Sequence, residues 1–583
     1  MTVPAKLRIA LSQLNPIVGD LKGNAKRAAD AHARAKALGA DVIVFPELFL
    51  NGYPPEDLVL KPAFQDATRA ELERLSVQCA DGPAMLIGAI WRHDGKVYNA
   101  VALLDGGRIE AVTLKVDLPN YGVFDEKRVF ATGPMPGPLN VRGVRIGVPI
   151  CEDIWGAEVV ETLAETGAEL LVSPNGSPFD WPKSEIRMNI AVGRVTESGL
   201  PLAYVNQVGG QDELVFDGAS FVLNSDRSLA VQLPAWREEL CLTEWRRTPK
   251  GWVCQPAKAA KLAEGPAAAY HACVLGLKDY VNKNGFPGVV LGLSGGIDSA
   301  LVAAIAVDAL GPDRVHAVML PSKFTSDESL ADAAACAKAL GIRYDKVSIE
   351  PAVAGLTWSL KDLFAGTNAD ITEENLQSRV RGTILMAISN KFGAMVVTTG
   401  NKSEMSVGYA TLYGDMNGGY NPIKDIYKTQ VYALARWRNA HVPEGGFGPH
   451  AEVIPERVLT KAPTAELRAN QTDQDSLPPY DELDDILVSL VENEMPVAEV
   501  IARGHAPETV KKIERLLYLA EYKRRQAAPG VKISARNFGR DRRYPITNWF
   551  REDVPSKAEL TDAQAPEKAT KPPASPVNQK IAK

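Results

Sequence analysis

Three residue types that together can open a carboxamide stand beside strand ends in the first half of the chain. They are Glu47 in Phe45-Pro46-Glu47-Leu48-Phe49, Lys115 in Thr113-Leu114-Lys115-Val116 and Cys151 in Pro149-Ile150-Cys151-Glu152-Asp153. A cysteine attacks an amide carbon only after losing its proton, and a nearby carboxylate can take it. The tetrahedral oxyanion then needs a positive charge or an N–H donor, which Lys115 and the backbone N–H of Glu152 can supply. Glu47 can also hand its proton to departing ammonia. Residue types alone leave a second reading open, because a cysteine after an apolar strand is ordinarily a small buried hydrophobe. The second half carries Ser294-Gly295-Gly296-Ile297-Asp298-Ser299, between an apolar run and an alanine-rich one. Adjacent glycines let backbone N–H groups approach an anion, a helix N-terminus adds partial positive charge, and the serines add donors. No GK[ST] ending follows, so this is not the loop that transfers a terminal phosphate. A plain Gly-Gly turn is the alternative; Asp298, Ser299 and the strand–turn–helix context speak against it.

These residues need elements to hold them. From residue 7 to about 240, short β-rich runs recur at 7–11, 41–45, 85–91, 98–104, 145–150, 169–172, 201–205 and 220–223. Helix-suited segments at 24–38 and 63–77 lie between some of them, predicting a many-stranded α/β domain. Gly106-Gly107 suits a hairpin turn and offers no second phosphate site. Residues 244–265, with Pro, Gly and a Lys/Ala run, are expected to be a linker. The next stretch alternates a helix at 267–283, a strand at 288–293, a helix at 299–310, a strand at 314–320, a helix at 326–340, and strands at 344–349 and 394–398. That alternation predicts a parallel, doubly wound sheet. Past Pro555 the chain carries Lys, Ala, Pro, Glu and Gln without an aromatic residue, and 555–583 is expected to be disordered. No internal repeat is visible.

Composition bounds the partners. The 583 residues carry 65 Lys+Arg against 71 Asp+Glu, a formal charge of −6 that argues against nucleic acid as the main ligand. The length allows about four domains. A hydrophobic fraction of 45% leaves ample material for more than one core. No apolar run of about 18 residues predicts a membrane span, and the first residues lack an apolar signal core. The six cysteines form no CxxC pair and the seven histidines no HExxH, so neither a disulfide framework nor a structural zinc is expected. A cytoplasmic protein is the expectation.

The wording around the reactive residues is more specific. SGGIDS resembles the pyrophosphate loop of ATP pyrophosphatases, which holds the β- and γ-phosphates while the α-phosphorus is attacked. Downstream, Glu374-Asn375-Leu376-Gln377-Ser378-Arg379-Val380-Arg381-Gly382 reads as a helix, with Leu376, Val380, Ile384 and Ile388 on its apolar face and Asn375 and Arg379 opposite. ENLQSRVRG, TGNKSE at 399–404, Tyr413-Gly414-Asp415, KAPTA at 461–465 and DQDSLPPYDELD at 473–484 resemble the NAD synthetase family over roughly 265–550. Upstream, PELFLNGYPPEDL, KVDLPNYGVFDEKRVF and CEDIW resemble the nitrilase superfamily over about 7–240. Within it they look most like the glutaminase domain of glutamine-dependent NAD synthetases.

The resemblance implies an N-terminal α-β-β-α nitrilase-like sandwich followed by a doubly wound, Rossmann-like domain, divided as 1–243, a linker 244–265, 266–554 and a tail. It implies that ATP converts the carboxylate of nicotinate adenine dinucleotide into an acyl adenylate. Ammonia from glutamine captures the adenylate, giving NAD, AMP, pyrophosphate and glutamate, with a protein-enclosed ammonia path and a homo-oligomeric assembly. By resemblance Glu47, Lys115 and Cys151 are the amidase triad, Glu126 orients Lys115, and Tyr121, Ser177 and Lys183 bind glutamine. Ser294, Gly295, Gly296, Asp298, Ser299, Thr399, Lys428 and Thr464 fall on ATP, Asn375, Glu404, Asp415 and Lys532 on nicotinate adenine dinucleotide, and Asp298 and Glu404 on Mg²⁺. Val116-Asp117 replace the polar pair usual after the lysine, which should alter its surroundings and leave the triad intact. Two other readings are a different PP-loop ligase or tRNA-modifying enzyme, and a non-catalytic scaffold. The scaffold predicts loss of Glu47, Lys115, Cys151, Asp298 or Glu404, and all five are present.

Overall fold

A computed structural model describes residues 4–552, apart from Pro182 and Lys258 and the side chains of Lys183 and Ser184. The expected tail at 555–583 lies outside the described residues. Strand periodicity builds the first half. In β1 (Lys6–Gln13), Leu7, Ile9 and Leu11 face one side and Ala10 the other, the two-residue alternation of a pleated strand. With β2 (Val42–Val44), β3 (Ala84–His93), β4 (Lys96–Asp105) and β5 (Arg108–Leu114) it forms most of one sheet. Gly106 and Gly107, both at positive φ, make the expected β4–β5 turn. The second sheet runs through β6 (Leu139–Val141), β7 (Val144–Gly147), β8 (Leu170–Asn175) and β9 (Leu202–Asn206). After the hairpin β10 (Val208–Gln211) and β11 (Leu214–Asp217), β12 (Phe221–Leu223) and β13 (Leu229–Gln232) complete it.

The two sheets meet over Ile9, Val44, Leu86, Ile146, Val172 and Val205. Helices α1 (Leu21–Ala37) and α2 (Pro62–Gln78) cover the first sheet through Ala28, Ala31, Leu72 and Leu75. Helices α3 (Glu158–Glu165) and α4 (Lys183–Ser198) cover the second through Val160, Leu163, Ala191 and Val195. The result is the expected α-β-β-α sandwich. The expected linker is corrected. Residues 244–254 end β14 (Glu239–Thr248) and form β15 (Gly251–Cys254), which add to the edge of the first sheet. The reason is burial: Trp245 and Trp252 are each 1% exposed in the inter-sheet core. The polar, Pro-containing bias of a crossing begins only at Gln255.

The second half is the expected parallel sheet, ordered β18-β17-β16-β19. After α5 (Gly265–Lys283), β16 (Val289–Gly292) leads through the glycine loop into α6 (Ile297–Leu310). β17 (Val315–Met319), α7 (Asp327–Leu340), β18 (Arg343–Lys346), α8 (Glu350–Leu360), α9 (Ile371–Phe392) and β19 (Met395–Val396) follow. The strand expected at 344–349 stops at Lys346, because Glu350-Pro351 already opens α8. Every residue of α6 is buried except Asp298, so the helix is enclosed all round and presents one carboxylate at its first turn. Helices α5, α6 and α7 cover one sheet face, and α9 covers the other with Val380, Ile384 and Ile388, the stripe read from sequence. Beyond α10 (Lys402–Val407) and α11 (Lys428–Ala440), helices at 480–487, 497–502 and 507–519 form a satellite core around Leu483, Val500 and Ile513.

The halves are joined closely. Asp279 of α5 accepts hydrogen bonds from Asn15 Nδ2 and Gly210 N, both 2.7 Å, and Lys283 donates to the carbonyls of Pro16 and Gly210. A Cβ on Gly276 would lie 2.6 Å from Val531 and 3.1 Å from Val215, so glycine is what lets α5 sit this near the hairpin. Replacing it by alanine overpacks the junction. Gly276→Ala is expected to cost about 1–3 kcal/mol, read by calorimetry as a lower unfolding temperature; an unchanged one would mean the junction yields freely.

Candidate active sites

In the N-terminal half, the lysine is the centre of the geometry. Lys115 follows β5, is completely buried, and its Nζ lies 2.6 Å from Glu47 Oε1 and 2.9 Å from Glu126 Oε2. Burial alone would push the ammonium's pKa down, but Glu126 and Glu47 outweigh it and hold it well above the usual lysine value. Glu47 follows β2. Its Oε1 also accepts from Asn99 Nδ2 at 2.7 Å, and its Oε2 from the Gly176 N–H at 2.9 Å. Burial raises the Glu126 pKa, and its Oε1 accepts the Tyr53 hydroxyl at 2.8 Å.

Cys151 sits where the second sheet ends, at the start of a short 3₁₀ turn (Cys151–Ile154), with a left-handed φ of 47°. That conformation is costly for a residue with a Cβ and is kept by the surrounding bonds. The main one is Asp153, whose carboxylate accepts from the backbone N–H groups of Ile150, Val116 and Asp117 at 2.8–3.0 Å. It therefore binds the cysteine turn to the residues that follow Lys115, and Val116-Asp117 serve through their backbone. Burial pushes the Asp153 pKa up to about 7 against those three donors. The Cys151 thiol is pushed well above the ordinary thiol range, first by burial and then by Glu47, while Lys115 and the Gly176 N–H pull it back.

Tyr121 and Ser177, two of the residues expected on glutamine, lie beside this triad. The Tyr121 hydroxyl is 2.9 Å from Glu152, which follows the nucleophile. Ser177 is buried next to Gly176 and its Oγ accepts from Arg187 Nε at 3.0 Å. Arg187 in turn pairs with Asp217 at 2.7 Å and donates to the Ser177 and Pro178 carbonyls, fixing the loop. Lys183 opens α4; its side chain lies outside the described residues.

The C-terminal half holds a cavity of about 290 Å³ at the C-terminal ends of β16, β17 and β19. Open parallel sheets bind ligands there. Ser294, Gly296, Asp298, Ser299, Thr399, Glu404, Asp415, Lys428 and Thr464 line it. Gly295 has a φ of 81°, and a Cβ there would fall 2.3 Å from the Ser329 carbonyl, so the loop can pass α7 only as glycine. Lys428 is 2% exposed and lies 2.5 Å from Asp298 and 3.5 Å from Glu404. Burial acts against its charge, but the two carboxylates raise its pKa. Asn401 caps α10 and donates to Asp298 at 2.9 Å. Burial, and then the charge of Asp298, push Glu404 up to about 8, and burial pushes Asp415 up to about 6.

Among the described residues no three His, Cys, Asp or Glu side chains surround one metal position. Asp298 and Glu404 nevertheless fit Mg²⁺. They are two hard oxygen donors on one cavity wall, and Mg²⁺ commonly takes one or two carboxylates beside substrate phosphates and water.

Two expected ligands stand off the cavity wall. Asn375 on α9 accepts from the Thr411 hydroxyl at 3.0 Å, and Thr411 N donates to Asp415, so it reaches the cavity through that loop. Lys532 pairs with Asp541 at 2.9 Å, and its backbone N–H donates to the Glu213 carbonyl of the N-terminal half. Asn99, Asp153 and Asn401 were missed from sequence. Signals existed: Asn99 is an amide inside an apolar strand, and Asn401-Lys402-Ser403-Glu404 has the spacing of a capping box.

A carbon-nitrogen hydrolase family model matches residues 8–248, and an NAD synthase model matches 269–527. A glutamine-dependent NAD(+) synthetase of Rhodobacter capsulatus is 52% identical over 547 residues, covering 94% of this chain and 99% of the relative. The structure of a glutamine-dependent NAD+ synthetase from Acinetobacter baumannii in complex with ADP is 42% identical, covers 94% of this chain and all of that one, and superposes with a TM-score of 0.74. The crystal structure of another from Cytophaga hutchinsonii, 24% identical and covering 96% and 99% of the two chains, shares the fold at a TM-score of 0.78.

A raised thiol pKa has a direct readout. Alkylation of Cys151 by iodoacetamide, followed by peptide mass spectrometry, is expected to be slow at neutral pH and still climbing at pH 9, since only the thiolate reacts. A rate that levels off below pH 8 would indicate a resting thiolate instead.

Proposed function

The chain belongs to the glutamine-dependent NAD(+) synthetases, and from that premise we propose how its residues divide the work. The overall reaction amidates nicotinate adenine dinucleotide to NAD⁺ at the expense of ATP and glutamine. The observation that carries the amidase assignment is the buried Glu47–Lys115 pair beside a cysteine held in left-handed backbone. Glutamine is held by Tyr121, Ser177 and Lys183. Glu47 takes the Cys151 proton as the sulfur attacks the carboxamide carbon, because burial keeps the resting thiol neutral. Lys115 and the Glu152 N–H stabilise the oxyanion. Collapse breaks the C–N bond, Glu47 returns its proton to ammonia, and water, deprotonated by Glu47, then hydrolyses the thioester to glutamate.

At the other site the nicotinate carboxylate attacks the α-phosphorus of ATP and pyrophosphate leaves. The backbone and hydroxyls of Ser294–Ser299 and the α6 N-terminus hold its phosphates, with Lys428, Thr399 and Thr464. Asn375, Glu404, Asp415 and Lys532 position nicotinate adenine dinucleotide. Asp298 and Glu404 would hold Mg²⁺, which would supply Lewis-acid neutralisation of phosphate charge. Ammonia attacks the acyl adenylate, forming the amide and releasing AMP.

We also place the amidase unit from residue 1 through β15, rather than to 243, and the synthetase unit from α5 to about 554. A cytoplasmic site of action is supported by six free cysteines. Among the described residues no helix is long and apolar enough to cross a membrane. A homo-oligomer is supported by α8, which buries no residue and leaves Leu356 and Trp358 exposed, apolar surface that a second copy would cover.

Cys151→Ala is expected to lower glutamine-dependent NAD⁺ formation at least about a thousandfold, while ammonium still supports it. Full glutamine-dependent activity in that variant would remove Cys151 as the nucleophile. Chelating divalent cations is expected to stop AMP release with either nitrogen source and to leave glutamine hydrolysis running; AMP release that persists would refute the Mg²⁺ assignment.

A further inference from the structure

Asn99 is the only polar residue in the middle of β4, where Ala100, Val101, Ala102, Leu103 and Leu104 follow it, and it is completely buried. Its Oδ1 is enclosed without a hydrogen-bond partner among the described residues. A buried unpaired carbonyl is unfavourable, and an apolar side chain of similar volume would avoid that cost. Packing therefore does not explain the amide. Its Nδ2 does have a partner, Glu47 Oε1 at 2.7 Å, and its backbone carbonyl accepts the Lys115 N–H at 2.9 Å. One residue thus touches both charged members of the amidase triad. The amide cannot be turned over, because that would set Oδ1 against a carboxylate oxygen.

We propose that Asn99 is the positioning residue that selects which oxygen of Glu47 acts as the base, an inference that rests on the amidase reading above. Lys115 and Asn99 both occupy Oε1. Oε2 accepts only the Gly176 N–H among the described contacts, and that same N–H faces the Cys151 sulfur. With Oε1 tied on two sides, the carboxylate cannot rotate, and Oε2 is the oxygen presented to the thiol. A neutral donor suits this place. A second cation would compete for the two carboxylates that hold Lys115, whereas an amide adds a bond without adding charge. A carboxylate that loses a hydrogen-bond donor is the poorer proton acceptor near its acid limit, where more of it is already protonated.

The test compares Asn99→Leu and Asn99→Asp with wild type in three assays: glutamine hydrolysis across pH, NAD⁺ formation with ammonium, and capture of the acyl-enzyme by hydroxylamine. Asn99→Leu is expected to lower the glutaminase kcat about 10- to 100-fold. It should shift the acid limb of kcat/KM to higher pH, leave KM for glutamine near the wild-type value, and leave ammonium-dependent synthesis unchanged. Asn99→Asp keeps the shape but sets a carboxylate against Glu47, and should lose more and shift further. It also carries the test if the leucine variant loses ammonium-dependent synthesis and so proves misfolded. A wild-type kcat and acid limb in a folded variant overturns the proposal. So does a loss of kcat with an unmoved limb, which would leave Asn99 a packing residue. Failure of wild type to hydrolyse glutamine or to form the hydroxamate would instead refute the amidase reading itself.

Discussion

A lysine ammonium with no contact with water needs close negative charge, and Lys115 has two carboxylates within 3 Å. Desolvating those three charges costs several kcal/mol per ion, repaid only if the geometry is tight and the remaining lone pairs are bonded. The surroundings meet that condition. Glu47 takes further bonds from Asn99 and Gly176, and Glu126 takes one from Tyr53. Asp153 then fixes the backbone after Lys115 to the cysteine turn. The amidase site is held as one network whose members arrive from five different strands or their ends, so no member can shift alone.

The same solution recurs in the synthetase half. Lys428 lies between Asp298 and Glu404, and Lys402 between Asp425 and Glu492. Each cluster sets two carboxyl groups against one ammonium. At Asp298 and Glu404 the pair faces the cavity, where a cation is wanted beside phosphates. At Asp425 and Glu492 the carboxylates are bonded by backbone N–H groups of Ile533, Ser534 and Arg536. That second cluster is therefore an anchor, and what it anchors is the segment bearing Lys532. Burial of charge does not make such clusters stabilising; it makes them particular about position, which a site requires.

The anchored segment continues into the amidase half. Trp181 N donates to the Ile533 carbonyl, Arg540 pairs with Glu56 at 2.6 Å, and Arg543 donates to Gly122 beside Tyr121. A late segment of the synthetase half thus touches the loops that carry Ser177 and Tyr121. The two chemistries share one junction, built on α5 and on the glycine that lets it approach.

Much of this was legible from residue order. Pattern placed eight of the sandwich strands and three of the four α9 stripe residues, since a strand or helix facing a core must repeat every two or 3.6 residues. Strands β5, β6, β13, β14 and β15 went unread. Glycine adjacency marked the phosphate loop, and local wording brought forward Cys151 and Lys428 where residue type alone would not. The polar bias of 244–265 misled, because Trp245 is buried by the pairing of β14 with β1, some 240 positions away, and Trp252 on β15 by pairing with β14 in turn. Asn99 escaped for a related reason. An amide in an apolar strand is visible, but its partner is Glu47, set by register between distant strands. What the sequence by itself determined is local: element type, turn chemistry and the identities of the reactive groups. Which oxygen of Glu47 is tied, which carboxylates flank each lysine, and that Lys532 lies against the amidase half were decided only by tertiary structure. Coulombic and hydrogen-bond energies depend on separations of a few ångströms, and spacing along the chain does not encode them.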